Sequence, residues 1–168
     1  DSAIGAYGAI GLILLFAIKF FALKMLLNEF INHPYIQDDI VFVTFLFLIA
    51  THSISRLTAI SIIFTTDYVR EDELSKSKPI AKQNTWKEII GAFVFGLLPF
   101  LKLVHYSLYF LYLLIPLILT QVLLRRYFKK WIGGYTGDCL GATQQIAEVV
   151  FYLSFIAFFV FVFLPETK

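Results

Sequence analysis

The sequence predicts an all-α fold: a polytopic integral membrane helical bundle of about five transmembrane helices. Three observations carry this. Hydrophobic residues make up 59% of the 168 positions, and mean hydropathy is +0.78. Charged residues are only 15%, well under the ~25% of soluble domains. Several apolar runs reach the ~20 residues that cross a ~30 Å hydrocarbon layer. One cysteine, Cys139, excludes an intrachain disulfide. The net charge of +2 is too small to point to nucleic acid, which is not expected as a partner. Where the charges lie matters more than their sum.

The first expected span runs from about Ile4 to Leu27. Gly5, Gly8 and Gly11 recur every third position, and small residues at helical spacing let helices approach closely in lipid. Lys19 and Lys24 are expected to snorkel from the far end of this helix. Asn28 to Asp39 is a polar connector, broken by Pro34 and holding His33 in a turn, with Asp38 and Asp39 placed to cap the next helix.

The second span, Ile40 to Thr66, has 27 residues and a length of about 40 Å. Thr44, Thr51, Ser55, Thr58 and Thr65 share one face, with His52 and Arg56 on the adjoining one. An arginine at mid-membrane costs roughly 2.5–3.5 kcal/mol on insertion scales, so it normally faces a polar cavity. A functional role is therefore expected for Arg56, and a packing or hydrogen-bonding role for His52. A protruding helix that leaves Arg56 near the surface is the alternative. Asp67 to Lys87 is the main hydrophilic loop.

The third span, Trp86 to about Leu103, is short and holds Pro99; a re-entrant hairpin is its alternative. The fourth, about Val104 to Leu124, is expected to kink at Pro116. The fifth runs from Ile146 to Leu164. Five crossings place the N-terminus, the Asp67–Lys87 loop and the cluster Arg125, Arg126, Lys129 and Lys130 on one side. Lys24, Lys102 and Lys168 fall on the other. The positive-inside rule makes the basic side cytoplasmic.

On that side, just before the last span, lies Gly133-Gly134-Tyr135-Thr136-Gly137-Asp138-Cys139-Leu140-Gly141-Ala142-Thr143-Gln144-Gln145. Its glycines fit neither a dinucleotide fingerprint nor a Walker A loop, and no His/Cys cluster suggests zinc. Backbone amides of Thr136, Gly137 and Asp138 at a helix start would hold an anion. Arg56 and Arg70 would grip phosphate through paired guanidinium bonds. The Asp138 carboxylate could hold Mg²⁺, which bridges to phosphate, or could simply cap the helix. Gln144, Gln145 and Glu148 read as a polar pocket wall or an interhelical hydrogen-bonded set.

The run Gly133 to Gln144, followed by Glu148 and an apolar helix, resembles the C-terminal signature of the cobalamin synthases, the integral-membrane adenosylcobinamide-GDP ribazoletransferases. Asp1-Ser2-x-Ile4-Gly5-x-Tyr7-Gly8, Ser55-Arg56 and Tyr68-Val69-Arg70 resemble further segments of that family, in the same order. Leu57 departs from the usual aromatic, and the glycine expected near Glu73-Leu74 is absent.

The resemblance implies a single transmembrane domain over residues 1–168, the C-terminal part of a longer enzyme. It also implies a reaction at the cytoplasmic (inner) membrane of a prokaryote, joining adenosylcobinamide-GDP to α-ribazole or its 5′-phosphate with release of GMP. Mg²⁺ is the implied cofactor, with its main carboxylates expected upstream of Asp1 and Asp138 as the catalytic and metal contact in this chain. Arg56, Arg70, Thr136, Gly137, Ser2, Gln145 and Glu148 are the implied substrate or phosphate contacts. The lipid bilayer is a further partner, and a homo-oligomer stays open. From another class, a small transporter or structural membrane subunit would use the glycine run only as a packing turn.

Overall fold

The computed structural model describes residues 5–32, 40–69 and 86–163. Five helices long and apolar enough to cross a membrane make up nearly all of it, so the chain is a multi-pass membrane protein. They are α1 (Ala6–Asn32), α2 (Ile40–Thr65), α3 (Trp86–Tyr106), α4 (Leu114–Ile132) and α5 (Gly137–Phe163). A 3₁₀ turn, Leu108–Leu113, leads into α4.

Side-chain contacts fix the directions. Phe64 stacks on Phe93, and Phe100 meets Phe151 edge-on. Phe47 packs against Phe30, Phe151 and Phe155. Helices α1, α3 and α5 therefore run one way, and α2 and α4 the other. The end that carries the glycine run also carries the end of α2 and the start of α3. The core sits where these rings meet, with Leu26, Phe47, Phe100, Leu103 and Phe151 all but fully buried. The outer face of α1 shows Ile13, Phe16, Phe20 and Phe21 to the surroundings, as a lipid-facing surface must.

Local chemistry explains the ends. Ser107 is extended (φ −156°) and its hydroxyl accepts from the Tyr109 amide, which stops α3 and starts the 3₁₀ turn. The fourth span thus begins later than expected and runs on to Ile132. Pro116 falls in the first turn of α4, where amides have no intrahelical acceptor, so it does not break the helix there. The fifth helix starts nine residues before its expected start. Thr136, not Asp138, is the cap: its Oγ1 accepts from the Cys139 amide at 3.4 Å. Gly133 closes α4 in the left-handed region at φ 78°, where a Cβ is strained.

Close helix approach also falls elsewhere than expected. A methyl at Gly11 would meet nothing within 4 Å, whereas one at Gly96 would lie 3.1 Å from Leu57 Cβ. Helices α2 and α3 are the pair that a glycine brings together; α1 packs through Ala22, Leu26 and Phe30 instead.

Candidate functional site

Two features of the turn-bearing end stand out. The first is backbone. Tyr135 donates its amide to Asp67 O at 3.0 Å, and Val69 donates to Tyr135 O at 2.9 Å. This isolated parallel bridge ties the chain leaving α2 to the turn entering α5. The Tyr68 and Tyr135 rings meet edge-on beside it, and Tyr135 is buried together with Ile62 and Phe128. The bridge also decides between five spans and a re-entrant third segment: the chain leaving α2 and the turn between α4 and α5 share one end.

Burial, then the charges of Tyr68 and Asp67, push the Tyr135 phenol above its ordinary range. The folded state holds this proton more tightly than the unfolded one. Its contribution is fully present below about pH 10 and is lost as pH rises through the folded value. In a tyrosinate absorbance titration, Tyr135→Phe should lose one late-titrating phenol relative to wild type. Coincident titration of wild type and variant would contradict the assignment.

The second feature lies deeper. Lys19 Nζ is 2.6 Å from Glu148 Oε2 and also donates to Gln145 Oε1 at 3.3 Å. His52 Nδ1 is 3.4 Å from Glu148 Oε1. Glu148 is buried, while the His52 ring is half exposed. One carboxylate thus ties α1, α2 and α5. Lys19 is the fourteenth of the 27 residues of α1, too deep to snorkel to either end. The sequence reading missed it because the expected span began and ended too early, moving Lys19 toward one edge. Its available signal was a charge near mid-membrane, by default functional or paired.

The predicted residues divide accordingly. Gln145 and Glu148 come together, with His52 in the hydrogen-bonding role expected of it. Arg56 is exposed and lies one turn, about 6 Å, from His52 toward the glycine run. Glu148 is ten residues, about 15 Å, beyond Asp138 on α5. Arg56 therefore sits in the same half of the bundle as Asp138 but roughly 9 Å deeper. Thr136, Gly137 and Asp138 form the first turn of α5, with Gly137 and Asp138 exposed. Ser2 and Arg70 lie outside the described residues. Ser55, beside Arg56, is fully buried, and its Oγ has no hydrogen-bond partner among the described residues.

Chemically, this end offers anion binding: helix-start amides, a permanent cation, and an ammonium positioned by two acceptors. It offers little for a metal by itself. Among the described residues no three of His, Cys, Asp and Glu gather to hold one. Asp138 supplies a single carboxylate, which suits Mg²⁺ only if substrate phosphates complete the shell.

The comparisons with known proteins match this organisation. Residues 1–156 match the cobalamin-5-phosphate synthase family. The chain is 38% identical over 157 residues to the adenosylcobinamide-GDP ribazoletransferase of Shewanella frigidimarina (strain NCIMB 400), covering 94% of this chain and 56% of that protein. It is 41% identical over 153 residues to the protein of the same name from Shewanella sp. (strain W3-18-1), covering 91% and 54%. The chain spans about half the length of the curated relatives it matches. No solved structure matches. With the family match running through all five helices and the turn between the last two, the chain belongs to the cobalamin-5-phosphate synthase family.

Proposed function

We propose that these five helices form part of an adenosylcobinamide-GDP ribazoletransferase. The hydroxyl of α-ribazole, or of its 5′-phosphate, attacks the corrinoid-side phosphorus of adenosylcobinamide-GDP. The new phosphodiester oxygen–phosphorus bond forms as the diphosphate anhydride breaks. GMP leaves, and the hydroxyl proton passes to solvent or a base. Such transfers need mainly positioning and neutralisation of charge.

In this reading Arg56 and Arg70 bind the diphosphate. The Thr136 and Gly137 amides at the start of α5 hold its oxygens, with Asp138 beside them. Gln145 and Glu148 line the deeper wall, and Ser2 is a further substrate contact in this reading. Asp138 would be the residue of this chain to hold Mg²⁺, and the ion would supply charge neutralisation at the diphosphate. The reaction takes place at the cytoplasmic face of a prokaryotic inner membrane. The charge pattern supports that orientation, since Lys87, Arg125, Arg126, Lys129 and Lys130 share the turn-bearing end.

The carrying observation is the Tyr68–Tyr135 bridge, which holds the end of the arginine-bearing helix against the acid-bearing turn. A transporter reading finds less support. Beyond Glu148, away from the turn, the core between α2 and α5 is Phe47, Phe151 and Phe155, and no polar path continues along it among the described residues.

The test is GMP release by the full-length enzyme with Mg²⁺ and both substrates. Arg56→Ala should lower kcat/KM by about 100-fold or more, as loss of a charge-stabilising group does. Arg56→Lys should recover part of it, and Asp138→Ala should lower kcat. Normal transfer by Arg56→Ala and Asp138→Ala would remove both residues from the site.

A further inference from the structure

Between α2, α3 and α4 lies a groove of about 350 Å³, open on its outer side, that the reaction above does not use. Its walls are Leu57, Phe93, Leu97, Leu114, Leu117 and Ile118, with Thr58, Ser61 and Gln121 toward the turn-bearing end. All three walls are membrane-spanning helices, so the opening faces hydrocarbon.

The polar end has a direction. Thr58 and Ser61 donate their hydroxyls to Ile54 O and Thr58 O and are satisfied. On α4, Leu114, Ile118, Gln121 and Arg125 follow steps of four, three and four, which is one helix face. Arg125 therefore continues the groove one turn beyond Gln121, toward the lipid headgroups. Lys129 follows one turn further. Arg125 is half-buried, and no acidic partner pairs with it among the described residues. Trp86, exposed at the start of α3, marks the same level as an interfacial aromatic. An apolar slot in the hydrocarbon, an amide at its end and a cation above it match one amphiphile: acyl chain, ester, phosphate.

We propose that this groove binds an anionic phospholipid. One acyl chain lies along Leu57, Leu97, Leu117 and Ile118. The Gln121 amide faces the glycerol ester, and Arg125, with Lys129 beyond it, holds the phosphate. Basic pockets between membrane helices recognise anionic headgroups in this way.

Native mass spectrometry tests it on the full chain in detergent, with equimolar dioleoylphosphatidylglycerol and dioleoylphosphatidylcholine added. The wild type should retain phosphatidylglycerol in preference. Arg125→Ala should reduce that preference about fivefold, the effect of one basic residue near a membrane surface, and Arg125→Lys should keep most of it. Ile118→Trp, at an exposed position, should fill the groove and lower retention of both lipids. Lys130→Ala, whose ammonium lies over the Trp131 ring instead, should change nothing. Far-UV circular dichroism checks that each variant stays helical.

Glycerol 3-phosphate, offering the headgroup without chains, should not displace the lipid. Displacement by it would reassign the site to a soluble phosphate. Retention of neither lipid by the wild type would mean the groove is closed by protein, and an unchanged preference in Arg125→Ala would remove the cation; either result overturns the proposal.

Discussion

Glu148→Ala is expected to destabilise the bundle by about 3–5 kcal/mol, the cost of leaving one partner of a buried ion pair without the other. The ammonium of Lys19 would then face Gln145 alone, near the middle of a membrane helix. Thermal unfolding in detergent, followed by circular dichroism, reads the loss. Glu148→Gln should lose less, because its carbonyl still accepts from Lys19. Replacing both partners, Lys19→Leu with Glu148→Leu, should restore most of the stability, since a buried pair often contributes no more than an apolar packing of the same volume.

The double variant also separates tie from site. Its fold is expected to return while the transfer proposed for the full-length enzyme does not, because Glu148 also meets the half-exposed His52 one turn from Arg56. If both return, the cluster serves packing only. An unchanged midpoint in Glu148→Ala would show that the pair does not hold α1 to α5.

Gly134→Ala is expected to undock the glycine turn without melting the bundle. A methyl at Gly134 would fall on the carbonyl oxygen of Asp67 and within 2.5 Å of Val69 Cγ2. Backbone cannot give way as a flexible side chain can, so the cost belongs at the upper end of the ~1–3 kcal/mol of overpacking. The bridge amides report it. Hydrogen exchange of Val69 and Tyr135 should speed up by about 100-fold, while amides of α2 and α3 keep their protection. The transfer proposed for the full-length enzyme should fall with the bridge. Gly141→Ala is the control: its methyl meets nothing within 4 Å, and alanine favours a helix interior over glycine. Equal protection of Val69 in wild type and Gly134→Ala would mean that the bridge does not organise this end.

The fold class was legible in the residues because membrane spans announce themselves by length and composition. Helices α2 and α3 are described from Ile40 and Trp86, the residues at which those spans were expected to start. Other bounds moved where capping decides them. Ser107 interrupts what hydropathy reads as continuous, and Thr136 starts α5 within a stretch that composition reads as a loop. Arg56 stood out because its charge interrupts an apolar run. Lys19 was visible too, but only its depth makes it significant, and depth follows from where a helix begins and ends.

The sequence by itself determined that five apolar helices cross a membrane and that most basic charge gathers at one end, because hydropathy and charge are properties of each residue alone. Partnership was decided only by the tertiary structure. Lys19 and Glu148 are 129 positions apart, and Asp67 and Tyr135 are as distant in kind, one leaving a helix and the other entering one. Antiparallel packing of α2 against α5, set by interlocking aromatic rings, brings each pair to one level, and no local pattern of residues encodes that register.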